Sequence, residues 1–327
     1  MQARRLLPSD VAALPPDQLT GAVLLAAVSL PAHKLAKGTI LTSDQARALV
    51  AAARDRELDR PLRIAWHEPG DLHEDEAALR LAVAAGGAGV TLRTPRQSRL
   101  DLVAQWDGVL HVKSEALTRI NAIDPLEVFT LYHGQAVSAG EVVASVKVAP
   151  HLVPEAAVTA GVRVAREDGP VVEVRPYLAL EVGAIAEEAL TPEALARFEA
   201  GARMKVEAMG SRFVGTIMVS EAEPDPAGEA TRAALVSLVR VRRLPVVLVG
   251  GISAGDPLAP FYTALEALGG RVLRRGVPAH PGSMLWLGEL DQSRLLGLPS
   301  CGMFSLDRKS TRLNSSHIQK SRMPSSA

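Results

Sequence analysis

The stretch VGGISAGD, which ends at Asp256, combines the residue types of an anion-binding turn. Its glycines, Gly250, Gly251 and Gly255, let the backbone approach a ligand closely, and Ser253 adds a hydroxyl donor. Asp256 places a carboxylate, a candidate catalytic acid or base, beside them. Because a helix-forming segment follows, the positive end of that helix favours phosphate or pyrophosphate. The stretch predicts a phosphate-binding turn, and a tight connection that binds nothing is an equally compatible interpretation.

The turn differs from two better-known phosphate-binding motifs. No Lys-Ser or Lys-Thr pair follows it, as a Walker A loop requires. Its glycines also lack the GxGxxG spacing of dinucleotide-binding turns. The pattern alone therefore does not identify the ligand.

Other side chains that could do chemistry give weaker indications. His67 and His73 precede and begin the acidic run HEDE, which suggests metal ligands, but acidic residues are also expected in the first turn of a helix. We therefore predict no metal site there. Arg274 and Arg275 are interpreted as an exposed basic pair. Cys301 is the only cysteine of the chain, which excludes a disulfide and a cysteine zinc site.

The segments around the turn predict the elements that position it. PVVLVGG is continuously apolar, which is typical of a central parallel strand, and PLAPFYTALEALGG predicts a helix after the turn. LTPEALARFEAGARMKVEAMG predicts a long helix that Thr191 caps and Pro192 begins. MLWLGEL and RLLGLPS predict a final hairpin. This alternation predicts an α/β fold with a mostly parallel sheet, and it places the turn at the carboxyl ends of the strands, where ligands bind in such sheets.

The N-terminal half predicts a smaller α+β or β-rich region. Thr42 or Ser43 caps a helix that begins near Asp44, and HEDEAALRLAVAAGG predicts a second helix. KGTIL and LRIAW are strand-like, and the segment from VTLRTP to INAID predicts short strands separated by polar turns. We place the two domains at residues 1–165 and 166–306.

Composition and charge narrow the class of protein. The chain has 327 residues, of which 47% are apolar and 3% aromatic, and this suits a core of helices packed on sheets. A formal net charge of zero gives no electrostatic case for binding nucleic acid or an acidic membrane surface. The sequence shows neither a signal peptide nor an apolar run long enough to span a bilayer. We therefore expect a cytoplasmic protein with no membrane partner.

The tail, residues 307–327, differs in composition from the rest of the chain. It is rich in serine, has no hydrophobic period and resembles a translated sequencing adapter. We expect a non-native, disordered tail and exclude it from the reasoning about the fold.

Blocks of sequence in a fixed order resemble the molybdopterin-binding domain of molybdenum cofactor biosynthesis proteins. They are VVLVGGISAGDP, EALGGRVLRRGVPAHPGSMLWLG and LLGLPSCG, and GAVLLAAVSLPAHKLAKGTILTSDQARAL is similar to the N-terminal segment of molybdopterin molybdotransferase-like proteins. The resemblance implies a three-layer molybdopterin-binding domain and a ligand that is molybdopterin or its adenylylated form, with Mg²⁺ and molybdate as further ligands of the active transferases. It also implies a homo-oligomer and a partner that is a molybdoenzyme or another cofactor-biosynthesis protein.

The resemblance also assigns ligand contacts to individual residues of this sequence. The implied contacts lie in the turn itself, in a Pro-Gly turn, in a loop near residue 300 and after an earlier strand. They are Gly250, Gly251, Ser253, Gly255 and Asp256; His280, Pro281, Gly282 and Ser283; Gly297, Pro299 and Ser300; and Glu187 and Glu188.

The sequence departs from the transferases at positions used for metal insertion. Leu258 and Ala259 stand where those enzymes carry an aspartate, and His280 and Ser283 stand where they carry lysines. Transfer of a dianion such as molybdate needs cationic and acidic groups around it, so the resemblance implies ligand binding more strongly than insertion chemistry. The alternatives are an active molybdotransferase, a hydrolase that processes nucleotide pyrophosphates through a related domain, and an interaction module with a vestigial pocket.

Overall fold

A computed structural model describes residues 1–30, 34–94, 99–167, 169–219, 228–276, 284–299 and 303. The chain divides into two compact units, Met1–Tyr177 and Leu178–Ala327. The predicted contacts His280, Pro281, Gly282, Ser283 and Ser300, together with the tail, lie outside the described residues.

The first unit combines short helices with small sheets. Its helices are α1 (Pro8–Ala13), α2 (Ser43–Arg54), α3 (Glu74–Ala85), α4 (Ser114–Asn121) and α5 (Glu155–Glu167), with a 3₁₀ turn at Pro16–Gln18. Its strands are β1 (Gln2–Leu6), β2 (Val23–Leu24), β3 (Val28–Ser29), β4 (Lys34–Leu35), β5 (Leu62–Trp66), β6 (Asp71–His73), β7 (Val90–Leu92), β8 (Arg99–Ala104), β9 (Gly108–Val112), β10 (Leu126–Thr130), β11 (Ala136–Val137), β12 (Val142–Val148), β13 (Leu152–Pro154) and β14 (Val172–Pro176).

Two hydrophobic clusters support most of this unit. The larger one lies between the antiparallel sheet β10-β12-β8-β7 and helices α3, α4 and α5, with Leu81, Leu100 and Val146 among its buried members. The other packs α2 on the sheet β1-β5-β2 through side chains such as Leu49 and Ile64. The α+β region expected in the N-terminal half is therefore present.

Helix α2 confirms its predicted start and buried face. Thr42 Oγ1 accepts a hydrogen bond from the N–H of Gln45 at 3.3 Å, and Gln45 Oε1 accepts one from the N–H of Thr42 at 3.0 Å. This reciprocal pair is a capping box, which satisfies two N–H groups that the helix itself cannot pair. The apolar positions of the helix, including Leu49 and Val50, are buried.

Two features of the first unit differ from the sequence predictions. Helix α4 lies in a segment predicted to hold only strands and turns, because Ala116 and Ile120, four residues apart, are buried together on one helical face. KGTIL contributes a single bridge from Ile40 to Val23 and no regular strand. The first compact unit ends at Tyr177, after β14, which pairs with β9, and the domain boundary at residue 165 stays a prediction.

The second unit is the α/β part of the chain. Its helices are α6 (Pro192–Glu207), α7 (Glu229–Leu235), which continues as a wider π-helical segment at Val236–Val241, and α8 (Pro260–Ala267). Its strands are β15 (Glu181–Ala186), β16 (Arg212–Met218), β17 (Val246–Gly250), β18 (Arg271–Arg275), β19 (Trp286–Leu290) and β20 (Ser293–Leu298).

These strands form one sheet in the order β16-β15-β17-β20-β19-β18, and the first four are parallel. Helix α6 packs on one face through Phe198, whereas α7 and α8 pack on the other face through Leu235 and Leu265. The predicted three-layer α/β fold, the central parallel position of β17 and the final hairpin of β19 and β20 are confirmed.

The parallel arrangement decides which loops meet. Because β15, β17 and β20 run in the same direction, the residues that follow them lie at one edge of the sheet. This edge brings together Glu187, Gly251 and Pro299, which are far apart in the sequence.

No helix within the described ranges is long and apolar enough to cross a bilayer.

Candidate functional site

The turn after β17 requires glycine at residue 251. Gly251 has a φ of 89°, a backbone conformation that side chains disfavour. A Cβ atom added there would lie 2.8 Å from Cγ of Glu188. The side chain of Glu188 therefore lies directly over the backbone of Gly251, and the turn and the loop after β15 form one surface.

Two buried aromatic side chains fix the backbone of the turn. The indole Nε1 of Trp286 donates a hydrogen bond to the carbonyl oxygen of Ile252 at 3.1 Å. The hydroxyl of Tyr262 donates one to the carbonyl oxygen of Ser253, also at 3.1 Å. The two rings contact each other edge to face, with centroids 5.5 Å apart. Consecutive carbonyl groups of the turn are thus held toward the protein interior.

Several N–H groups of the turn are paired with described residues, and those of Ile252, Ser253 and Asp256 are not. The N–H of Gly251 donates to the carbonyl of Leu298, and that of Ala254 to the carbonyl of Met284. The N–H of Gly255 donates to Oγ of Ser253. The N–H groups of Ile252 and Ser253 have no acceptor among the described residues. Together with the hydroxyl hydrogen of Ser253, these two neighbouring N–H groups are donors that the turn offers to a ligand.

The loop after β15 contributes the carboxylate of Glu187. Thr231 fixes the position of this carboxylate. The N–H of Glu187 donates to the carbonyl of Gly250 at 3.0 Å, which ties the loop to the end of β17. Oγ1 of Thr231, on α7, lies 2.9 and 3.0 Å from the two carboxylate oxygens of Glu187. Thr231 is only 2% exposed. Sequence reasoning did not find Thr231, because nothing in the helical pattern of α7 distinguishes a threonine that faces a distant glutamate.

Asp256 lies at the exposed end of the turn. Its Oδ1 accepts a hydrogen bond from the N–H of Leu258 at 3.0 Å, which closes a local turn before α8. Leu258 is 86% exposed, and Ala259 is buried at the start of the helix. Neither residue can supply the acidic group expected there in a transferase.

Arg275 adds a cation beside the aromatic anchors. Its guanidinium group lies over the ring of Tyr262, 4.2 Å from the centroid. Burial raises the pKa of the Tyr262 hydroxyl above its ordinary value of 10.0, and the positive charge of Arg275 opposes this shift. The sequence suggested only an exposed basic pair, whereas the structure gives Arg275 a defined partner.

Two of the ligand contacts that the resemblance implies near residue 300, Gly297 and Pro299, lie in or directly after β20 and are buried. Gly297 lies inside β20 opposite Val249, and a Cβ atom added to it would lie 1.9 Å from Nε1 of Trp286. Pro299 is buried directly after the strand. Met303 covers the end of β17, because a Cβ atom on Gly250 would lie 2.6 Å from its Cε. Direct ligand contacts by Gly297 and Pro299 stay predictions.

The acidic start of α3 has a structural explanation. Oε2 of Glu74 lies 2.6 Å from Nδ1 of His151, and Nε2 of His73 lies 2.8 Å from the carbonyl oxygen of Gly38. Glu74 is 2% exposed. Across the described ranges, no three histidine, cysteine or acidic side chains converge as metal ligands.

Comparison with known proteins gave similarities only among solved structures. No family profile and no curated protein matches the sequence. A molybdenum cofactor biosynthesis protein B is 12% identical, over 46% of this chain and 100% of its own length, with a TM-score of 0.30. The molybdopterin biosynthesis protein MoeA of Pyrococcus horikoshii is 14% identical, over 70% of this chain and 74% of its own, with a TM-score of 0.27.

A third similar structure is the molybdopterin biosynthesis enzyme MoaB of Thermus thermophilus. It is 16% identical over 43% of this chain and 94% of its own, with a TM-score of 0.28. These identities and TM-scores are too low to transfer an activity. The function proposed below therefore rests on the residues of this chain.

Proposed function

We propose that the second unit binds molybdopterin, or its adenylylated form, at the turn that follows β17. The protein would act in molybdenum cofactor biosynthesis or in hand-over of the cofactor to a molybdoenzyme. A cytoplasmic location, a homo-oligomer and a protein partner in the same process remain predictions from the sequence.

The observation that carries the proposal is the pair of backbone donors at Ile252 and Ser253. They lie at the carboxyl edge of a parallel sheet, where open α/β sheets bind ligands, and nothing among the described residues accepts from them. The hydroxyl of Ser253 adds a third donor. Neighbouring hydrogen-bond donors of this kind suit the phosphate group that both forms of the ligand carry.

The acidic side chains beside the turn suit the other end of such a ligand. A pterin ring presents neighbouring N–H groups, and a carboxylate accepts two hydrogen bonds from such an edge. The side chain of Glu188 lies beside Gly251, and the carboxylate of Glu187, in the same loop, accepts from Thr231 Oγ1. Because a carboxylate oxygen accepts more than one hydrogen bond, these groups can accept from a pterin in addition to their protein partners.

The described residues do not fit the insertion of molybdate with Mg²⁺. Asp256 is exposed and bonded to the N–H of Leu258, and neither Leu258 nor Ala259 carries a ligand atom. Hard cations such as Mg²⁺ need several oxygen ligands at one point. Binding is therefore proposed without an insertion step.

Calorimetric titration and thermal unfolding of the full chain with purified molybdopterin test the proposal. At a ligand concentration of about a hundred times the dissociation constant, the ligand should stabilise the fold by roughly 2.7 kcal/mol. This corresponds to about 2–4 °C of melting temperature for each kcal/mol in a protein of this size. Ser253→Ala should weaken binding about tenfold, since it removes a hydrogen bond to a charged group.

The matched control is Ser138→Ala, which removes the hydroxyl of another exposed turn serine in the first unit. This variant should bind molybdopterin like the wild type. Absence of binding by the folded wild type would refute the proposal, and turnover of a pyrophosphate-containing nucleotide in its place would favour the hydrolase alternative. Equal affinity of Ser253→Ala and the wild type would remove the site from this turn.

A further inference from the structure

The geometry of one peptide unit links the indole of Trp286 to the N–H of Ser253, which has no acceptor among the described residues. In a trans peptide unit the C=O and the following N–H point in opposite directions. The carbonyl of Ile252 is held toward the interior by Trp286 Nε1, at 3.1 Å. The N–H of the same peptide unit belongs to Ser253, so it must point away from the interior, which agrees with its lack of an acceptor among the described residues.

The neighbouring peptide unit supports this interpretation. The carbonyl of Ser253 is held by the hydroxyl of Tyr262, and the N–H at the other end of that unit, on Ala254, donates to the carbonyl of Met284. That unit is therefore fixed at both ends by the protein. Within the described residues, the unit between Ile252 and Ser253 is fixed at one end only, and the N–H at its other end has no acceptor.

Gly297 makes the position of the indole feasible. Trp286 and Gly297 are direct partners in the antiparallel pair of β19 and β20, and the indole lies over the glycine. Any side chain at residue 297 would overlap the ring, because its Cβ would lie 1.9 Å from Nε1 and 2.0 Å from Cε2. The glycine that resembles a ligand-contacting position thus acts through Trp286.

We propose that Trp286 is a positioning residue, which aims the N–H of Ser253 at the phosphate of the ligand, and that Gly297 provides the space for it. The inference rests on the proposed function for the identity of the ligand. Trp286 is 1% exposed and does not touch the ligand itself. Its indole N–H, rather than its bulk, carries the effect.

The chain provides its own control for the loss of an indole N–H. Trp66 and Trp106 also donate to backbone carbonyls at 3.1 Å, those of Gln18 and Val174, and both lie in the first unit. Trp286→Phe should weaken molybdopterin binding about fivefold to tenfold, the effect of one misdirected hydrogen bond to a charged group. Trp106→Phe removes the same kind of bond and should leave the affinity unchanged.

A spectroscopic readout without ligand separates this inference from the proposed function. Loss of the indole donor should shift the carbonyl ¹³C resonance of Ile252 and the amide ¹⁵N resonance of Ser253 in Trp286→Phe, but not in Trp106→Phe. If Trp286→Phe does not fold, replacement of the indole at residue 286 by benzothiophene keeps the shape of the ring and removes only the N–H.

The measured affinities and resonances together decide whether Trp286 has the positioning role. Weaker binding together with shifted Ile252 and Ser253 resonances supports the positioning role. Unchanged resonances in the ligand-free variant, or wild-type affinity despite the missing N–H, overturn it. A wild type that does not bind molybdopterin defeats the proposed function, whereas the ligand-free spectra still decide whether Trp286 orients the turn.

Discussion

The turn after β17 and the start of α3 both carry residues that suggest chemistry, and the structure uses them in opposite ways. At the start of α3, the carboxylate of Glu74 is buried against His151, and His73 bonds the carbonyl of Gly38. At the turn, buried aromatic donors bind the carbonyl groups and leave the N–H groups of Ile252 and Ser253 without acceptors among the described residues.

The difference shows that a binding site depends on which polar groups are left unpaired. Histidines beside acidic residues are a stronger suggestion of chemistry than glycines and a serine. However, the carboxylate of Glu74 and the imidazole of His151 are already paired with each other in the interior. Backbone donors that have no acceptor within the described residues keep the capacity to bind a ligand.

The largest expected effect on stability and on binding comes from Gly297→Ala, beneath the indole that holds the turn. The added methyl group would overlap the indole of Trp286, and overpacking of this kind costs typically up to about 3 kcal/mol. The free energy of unfolding should fall by about that amount, and molybdopterin binding should be lost with it. Urea denaturation and calorimetry measure the two effects.

The matched control for this change is Gly269→Ala, which lies in the same unit. A Cβ atom at Gly269 meets nothing within 4 Å, although its φ of 84° also disfavours a side chain. Backbone strain alone costs about 1 kcal/mol. A loss of binding in Gly269→Ala as large as that in Gly297→Ala would show that the indole is not the cause.

An intermediate effect is expected at the start of α3, from Glu74→Ala. The substitution leaves His151 without its buried partner and opens a small cavity, so the free energy of unfolding should fall by about 2 kcal/mol. Binding of molybdopterin should not change, because the pair belongs to the first unit. Thermal unfolding and titration of the same sample measure both quantities.

Glu76→Ala is the control for Glu74→Ala, because it removes an exposed glutamate from the same helical turn. Glu76 pairs with Arg80 at the surface, where an ion pair contributes little. If both variants lost the same stability, the buried contact of Glu74 with His151 would not be the source. If Glu74→Ala lost ligand affinity, the contrast between the two regions would fail.

The smallest expected effect depends on pH and concerns Tyr262. Burial raises the pKa of its hydroxyl above 10.0 in the folded protein, so the hydroxyl stabilises the fold fully below that pH. This stabilisation is lost as the pH rises through the folded-state pKa. Tyr262→Phe should cost about 1 kcal/mol near neutral pH, and the difference from the wild type should shrink at alkaline pH.

Urea denaturation at neutral and at strongly alkaline pH measures this difference. Tyr132→Phe is the control, since Tyr132 is 62% exposed and should show no difference at either pH. A cost for Tyr262→Phe that stays constant across the alkaline range would mean that its hydroxyl does not hold the turn.

Several elements follow directly from local sequence. Thr42 and Gln45 form the capping box of α2, and Thr191 caps α6 with Pro192 at its first position. The uninterrupted apolar run of β17 predicted its central parallel place. Such features depend on residues within one turn or one strand, so the sequence contains the necessary information.

Other elements depend on partners that are distant in the sequence. Helix α4 was missed because its few turns are stabilised by packing of Ile120 in the larger hydrophobic cluster. Strand β14 likewise depends on a distant partner, because it is defined by its pairing with β9. Short segments of mixed polarity form whichever element their tertiary contacts favour.

By itself, the sequence determined the alternation of strands and helices in the second unit, the glycine turn after β17 and its position at the carboxyl edge of the sheet. Tertiary structure alone decided that Thr231 holds Glu187, that Trp286 lies over Gly297, and that the N–H of Ser253 has no acceptor among the described residues. The reason is that periodicity and turn chemistry act over a few residues, whereas the pairing of each polar group is settled only when distant segments pack against one another.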